Sequence, residues 1–535
     1  MRSAVCLLAC AVGLTAVASS ASGNPGQAQS TPGVQDEIER LRLEVRRQRE
    51  EIDQLRKRLD EQEKLLDKMH SVTSAETTEA PSTPAPPPAT PALPDSAPVK
   101  GPLSLKLGGL TLTPTGFLDY LQVWRSKTDP SGLATNFAGI PFNNTVLGHR
   151  RQLLASAANS RLGVKITTRV LGFDVLGLVE TDFRGYSPNN VATTTNTYGL
   201  RMRLAFVDLS RNRWEFLAGQ NWSLLTPART GISPYPDTLF LTQDLDPNVQ
   251  SGLVWARTSQ LRAVYHASSS VAMGFSFEAG DAYSGGLAGS GTITLPSALA
   301  PSYFGQIDLS TENGNVVPNP NLDWVGKIAF DPKAVRSVHL ELAGLLDRFT
   351  FYNPLDNRRF TIMGGGIACN AGIEVVRHLT LLTNNFYTNG GGAFIFGEAP
   401  SLIIQSTGAP SLIPAASTVD GLEYQATPKW RLWTYYGGTW IERISTFDPV
   451  SLGPVGYGYV GSPDSQNRSI HEITGGLTRV FWKNSNYGTL QFSAQYSWLA
   501  RHPWYAAAGQ PTIANLHLIY LGFRYLLPGP AEASN

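Results

Sequence analysis

From about Gly116 to Leu527 the chain repeats segments of roughly ten residues in which apolar and polar side chains alternate, and the segments come in pairs. Leu490 to Trp498 shows the rule: Leu490, Phe492, Ala494, Tyr496 and Trp498 fall on one face, and Gln491, Ser493, Gln495 and Ser497 on the other. Successive strand side chains point to opposite faces, so each segment reads as a strand with one greasy and one polar surface. Turns and loops divide the region into candidate strands near 116–125, 160–170, 172–182, 199–209, 213–221, 252–267, 270–279 and 323–331. Further candidates lie near 336–347, 360–374, 376–387, 420–429, 431–442, 468–482, 488–499 and 514–527. Short turns such as Val170-Leu171-Gly172 and Ser210 to Asn212 close the pairs, and long connections follow strands 1, 3, 5, 7, 9, 11, 13 and 15. An even number of half-apolar strands with short turns at one end and long loops at the other predicts an all-β fold: a 16-stranded antiparallel transmembrane β-barrel over 101–527, with a tail over 528–535. Leu103 to Leu112 also alternates and is expected to be a lead-in rather than a seventeenth strand.

The N-terminal hundred residues obey other rules. Arg2, the apolar run Ala4 to Ala18 and the small-residue site Ala16-Val17-Ala18 read as a secretory signal peptide over 1–21. It carries away Cys6 and Cys10, leaving Cys369 as the one cysteine, so no internal disulfide is expected. No later apolar run reaches about 18 residues, which excludes helical membrane spans but not a closed barrel. Ile38, Leu41, Val45, Gln48, Ile52, Leu55, Leu59, Gln62, Leu66 and Met69 recur at spacings of three and four, a heptad seam that predicts an α-helical coiled coil over 34–70. Such a seam needs another helix, so the chain is expected to oligomerise; the heptads alone leave dimer and trimer open. The Pro/Ala-rich stretch over 71–100, with Pro-Ser-Thr-Pro-Ala-Pro-Pro-Pro at 81–88, reads as a semi-rigid linker. In a barrel with short periplasmic turns, the coiled coil and linker lie in the periplasm.

Aromatics gather where strands meet loops: Trp124, Phe183, Trp214, Trp222, Phe330, Phe349, Phe386, Trp430, Trp440, Trp482 and Trp498. They are expected to form the two interfacial girdles. If apolar positions face lipid, the opposite set lines the interior, because an outward charge costs a few kcal/mol near the midplane. Leu162, Val164 and Ile166 outward put Arg161, Lys165, Thr167 and Arg169 inward. Leu200, Met202, Leu204 and Phe206 outward put Arg201 and Arg203 inward, while Val175, Val179 and Phe183 outward turn Asp174, Glu180 and Asp182 in. Arg262, His266, Lys327, His339, Glu341, Glu423 and Gln425 join them from later strands. Arg161, Lys165, Arg201, Arg203 and Arg262 are therefore the candidate basic pore-lining residues. The competing reading has the arginines pair with Glu180 and Asp182 simply to stiffen the wall.

The connection Trp222 to Ser251 holds Pro227, Pro234, Pro236 and Pro247, together with Arg229, Asp237, Asp244 and Asp246. A proline-stiffened loop of this length is expected to fold inward as a constriction, its acidic groups facing the basic wall. Catalytic signatures are missing: there is no H-E-x-x-H, C-x-x-C or G-x-S-x-G. Gly456 to Gly461 matches G-x-G-x-x-G without the flanking strand and helix a dinucleotide needs. Neither an enzyme activity, a cofactor, a metal nor a nucleic-acid partner is expected.

The strings Arg161 to Ile166, Val179 to Gly185, Tyr198 to Leu209 and Phe216 to Pro227 resemble the DcaP-like family of Gram-negative outer-membrane porins, in which a periplasmic coiled coil also precedes the barrel. The resemblance implies a 16-stranded trimeric porin in the outer membrane, embedded in its lipid, for passive uptake of small hydrophilic solutes. It further implies a preference for small anions such as dicarboxylates, with Arg201 and Arg203 as basic pore-lining residues. The alternative function is a barrel that anchors a coiled coil tethering the envelope.

Overall fold

The computed structural model describes residues 103–129, 132–185, 199–235, 240–242, 250–285, 291–308, 318–333 and 336–528. The chain divides into two units, residues 1–97 and 98–535. The first unit lies outside the described residues, and with it the expected signal peptide and coiled coil; the expected linker lies outside them too.

Sixteen long strands build the second unit. They are β1 (Leu110–Arg125), β2 (Arg161–Val170), β3 (Phe173–Gly185), β4 (Gly199–Arg211), β5 (Trp214–Trp222), β6 (Arg257–His266), β7 (Val271–Asp281) and β8 (Pro318–Phe330). There follow β9 (Val338–Asn353), β10 (Arg358–Val376), β11 (Leu379–Asn389), β12 (Pro414–Thr427), β13 (Trp430–Ile441), β14 (Asn467–Asn484), β15 (Gly488–Pro503) and β16 (Ala514–Leu526). Each pairs antiparallel with the next, and β1 closes on β16, Phe117 opposite Leu526 and Arg125 opposite Leu518. Closure leaves no free sheet edge, which a barrel in lipid requires. Local chemistry sets the hairpins: in the β2–β3 turn Leu171 and Gly172 take φ of 52° and 83°, the left-handed geometry that matches strand twist. The lead-in is a short strand, Leu105–Leu107, folded back on Leu110–Leu112, so β1 starts six residues before the expected Gly116. A further segment, Gln152–Ser156, continues β2's pairing along β1.

Alternation sorts the two faces. Leu200, Met202, Leu261, Met273, Trp324, Leu342 and Met363 are exposed on the outside, with Trp214, Phe330, Trp430, Trp440 and Trp482 at the strand ends. The inside departs from the expected polar wall. Val325, Ala343, Leu345, Phe349 and Phe351 are buried there against Leu299, Tyr303, Phe394, Ile403, Ile404 and Tyr457 from the long connections. These connections fold into the barrel, two of them as small hairpins pairing Leu402–Ile404 with Pro410–Leu412 and Ile444–Asp448 with Gly453–Tyr457. Burying their apolar side chains holds the connections inside, at roughly 25 cal/mol per Å² of apolar area removed from water.

Several expectations change accordingly. Phe349 and Phe386 are inward core residues, not girdle members. Trp222 also points inward, stacked on Trp255 at 4.5 Å. Phe183 packs on the loop cluster inside β1 and β14–β16 instead of facing lipid. Leu204 and Phe206 are buried on the inner side, because pairing slips between Glu180 opposite Leu204 and Thr181 opposite Met202. That bulge places Arg203 and Leu204 in one pleat and reverses the alternation beyond it. The β9–β10 connection is four residues, 354–357, because both strands run further than expected.

Candidate functional site

The connection after β5 sets the geometry of the interior. Lys327 of β8 donates from Nζ to the Thr226 carbonyl at 2.6 Å, and the Ala228 amide donates to Glu341 Oε2 of β9 at 3.2 Å. Arg229 grips Glu423 of β12 with both terminal nitrogens, at 3.0 and 2.7 Å. The Gly231 amide donates to Asp331 in the β8–β9 turn at 2.9 Å, and Arg262 of β6 donates to the Ser233 carbonyl at 3.2 Å. Lys165 of β2 lies 4.9 Å from the Tyr235 ring centroid. A segment of ten residues, Thr226 to Tyr235, that touches β2, β6, β8, β9 and β12 runs through the barrel, as the prolines suggested. Lys327, Glu341 and Glu423 lie near the short-turn ends of their strands and Lys165 and Arg262 near mid-strand, so the crossing runs from mid-barrel toward that mouth. Asp237, Asp244 and Asp246 lie outside the described residues.

The far end of the same connection is clamped by two carboxylates. Glu472 of β14 accepts from the Ser251 amide at 2.8 Å. Glu398, on the connection after β11, accepts from the Ser251 hydroxyl at 3.1 Å, the Gly252 amide at 3.3 Å and the Thr439 hydroxyl. Gly252 has φ +83°, and a Cβ there would stand 2.5 Å from the Gly438 carbonyl oxygen and 2.6 Å from that of Thr418. Only glycine lets the loop backbone lie this close to the wall. Burial pushes the Glu398 carboxyl up to about 7, against the lowering pull of its three donors.

Above the crossing, β2–β6 carry the basic group. Arg201 forks onto Asp182 from Nε at 3.0 Å and from a terminal nitrogen at 2.6 Å. Arg203 donates to Glu180 at 2.8 Å and to Asp182 at 2.9 Å. Arg161 stands 3.9 Å from Glu180. Arg257 and Arg203 lie 5.4 and 5.8 Å from the Trp222 ring centroid. Among the described residues, four guanidinium groups thus stand around the two carboxylates Glu180 and Asp182. The Arg203 side chain is fully buried, whereas that of Arg201 is 32% exposed. Arg262 faces Glu215 at 3.6 Å. The arginines are paired, and of Arg201 and Arg203 it is Arg201 whose side chain is open to solvent.

The adjoining sector, β7–β9, is acidic. Glu278, Asp323 and Asp347 are buried on the inner side, and Asp323 sits in register with Glu278. Glu278 is satisfied by the Leu224 amide at 2.8 Å and the hydroxyls of Ser276 and Thr258 at 2.7 and 3.0 Å. Asp323 feels the like charges of Asp347, Glu278 and Asp281. Asp323 and Asp347 were within reach of the sequence: the parity that turns Lys327 and Glu341 inward applies to them as well. Arg257 was not, since it opens a strand whose alternation begins after it. Among the described residues no group of three or more His, Cys, Asp or Glu is arranged to hold a metal ion.

No protein-family model matches the sequence, and no curated protein does. Solved structures match the fold. The outer-membrane channel DcaP of Acinetobacter baumannii superposes with a TM-score of 0.58 at 16% identity, over 80% of this chain and 99% of that one. The anion-selective porin from Comamonas acidovorans gives 0.42 at 14% identity, over 78% and 99%. OmpT, an outer-membrane protein of Vibrio cholerae, gives 0.42 at 11% identity, over 79% and 99%. The chain has the fold of the DcaP channel over nearly that protein's whole length.

Proposed function

We propose that this protein is a Gram-negative outer-membrane porin that passes small hydrophilic solutes by diffusion and favours small anions such as dicarboxylates. The observation that carries the reading is the crossing segment Thr226–Tyr235 inside a closed barrel, with a basic group on β2–β6 and an acidic one on β7–β9. A crossing loop limits the size of what passes, and opposed charges sort it by sign. Arg201 and Lys165 supply the accessible positive charge; Arg161, Arg203 and Arg257 set the local potential from partly or fully buried positions. Three copies assemble into the working unit, with the 34–70 heptads in the periplasm adding to their cohesion. A tethering role would rest on the heptad segment alone.

Liposome swelling tests the reading. Full-length protein in vesicles should admit a dicarboxylate faster than a diamine of equal chain length, and removal of residues 24–100 should leave that uptake intact. No swelling with either solute, or faster entry of the diamine, would refute it.

A further inference from the structure

The outer face of β11–β15 breaks the rule obeyed by the rest of the belt. Thr383 and Asn385 on β11, Thr418 and Asp420 on β12, Tyr436 on β13 and His471 on β14 share that face, since their neighbours Leu382, Val419, Tyr435 and Glu472 are buried inside. They form two hydrogen-bonded groups set side by side. Asp420 accepts from the Thr383 and Thr418 hydroxyls at 2.6 and 2.9 Å, and Asn385 bonds both of those residues at 2.9 Å. Tyr436, in register with Asp420, bonds His471 Nδ1 at 3.0 Å. His471 meets Trp440 and His502 edge to face, at 5.5 and 5.8 Å between centroids. The band ends at a recess of about 450 Å³ lined by Trp440, Arg468, Ser469, His471, His502 and Trp504, among others.

Its height decides what can cover it. Trp430 and Trp440 are exposed at the two ends of β13, 36% and 40%. Ten residues of tilted strand between them rise about 25 Å, the height of the apolar belt of such barrels. Asp420, level with Tyr436, therefore sits about 15 Å above the lower girdle, inside the belt. Among the described residues no cationic side chain bonds it. Facing hydrocarbon, this carboxylate would keep its charge uncompensated by the hydroxyls that bond it, and Asn385 would keep an N–H without an acceptor, both costly in a medium without water. On β6–β9, by contrast, Leu261, Met273, Phe275, Trp324, Leu342 and Leu346 form an apolar outer face suited to lipid.

We propose that the polar band on β11–β15 is the surface on which a second copy of this chain docks. This deepens the oligomeric part of the porin reading and rests on it. A second copy, not a foreign partner, is indicated because the sequence carries its own association signature: the 34–70 heptads, if paired between chains, would hold copies of the same barrel together. The docked wall offers polar groups that the acyl chains cannot, and shields Asp420.

Cross-linking tests the assignment. In a full-length Cys369→Ser background, Asn385→Cys and, separately, Thr383→Cys are treated with a short bismaleimide in membranes, with Met273→Cys as the lipid-side control. Linked dimers at Asn385 or Thr383, and none at Met273, are expected. Linkage at Met273 only, at all three alike, or at none would overturn the proposal. Native mass spectrometry of the unaltered protein reads the assembly independently. A monomer there overturns the docking surface but not the channel, which the swelling assay decides by itself.

Discussion

Asp182→Asn separates the two roles the basic group could play, because they predict opposite outcomes. Asp182 is fully buried and receives three charge-assisted hydrogen bonds, two from Arg201 and one from Arg203. Removing one partner from a buried ion pair costs about 3–5 kcal/mol, and an asparagine that keeps one acceptor oxygen brings the loss nearer about 3. The barrel should therefore lose stability, read as a lower midpoint for heat-induced unfolding in detergent. Permeation should move the other way. The group gains one unit of positive charge, and Arg201, already 32% exposed, loses its pairing with Asp182. One unit charge acts on an ion 5 Å away with ~0.8 kcal/mol in bulk water and ~3 kcal/mol at an effective dielectric constant of 20. At the lower figure the partition of each ion changes about fourfold, upward for chloride and downward for potassium. Bilayer reversal potentials in a KCl gradient read this directly, with Arg201→Ala as the converse. A chloride preference unmoved by Asp182→Asn, or strengthened by Arg201→Ala, would refute the reasoning.

Three further outcomes follow from the crossing loop. Arg229→Ala removes the two-point grip on Glu423, worth about 1 kcal/mol after allowance for solvent at a partly exposed pair, and should raise single-channel conductance; unchanged conductance would place the loop outside the ion path. Gly252→Ala forces a side chain into a left-handed site against the carbonyls of Gly438 and Thr418, at a cost of about 1–3 kcal/mol, and should give noisier, larger openings, with wild-type traces counting against it. Glu398 holds its proton to about pH 7 in the folded chain and releases it near its ordinary value when unfolded, so the folded state binds the extra proton between those limits. Its stabilising contribution is thus complete below about pH 4.5 and is lost as pH rises through 7, up to about 3 kcal/mol in all. Heat-unfolding midpoints should fall from pH 5 to pH 8 in the parent and fall less in Glu398→Gln; parallel curves would exclude this carboxyl as the cause.

Strand pairing and strand order were legible because each strand carries its own period and each short turn its own punctuation, as at Leu171-Gly172 and Asn212. What alternation could not convey was which greasy face looks inward once the loops fill the barrel. Along β9 both sets are apolar: Leu340, Leu342 and Leu346 face out, while Leu345, Phe349 and Phe351 meet Tyr303 and the other loop residues inside. The bulge at Arg203–Leu204 was equally silent, since a two-against-one pairing is chosen by the partner strand and leaves no mark in the local pattern. For the site, charge type and inward parity were readable residue by residue. The partners were not: Arg229 with Glu423 and Ser251 with Glu472 are separated by about two hundred residues and meet only through closure of the barrel.

The central claim is a water-filled path with a positive bias, and one measurement addresses it most directly. Full-length protein in a planar bilayer under a tenfold KCl gradient should give discrete conductance steps and a reversal potential on the chloride side of zero. A reversal potential on the potassium side, or a bilayer that stays silent with correctly folded protein, would contradict it.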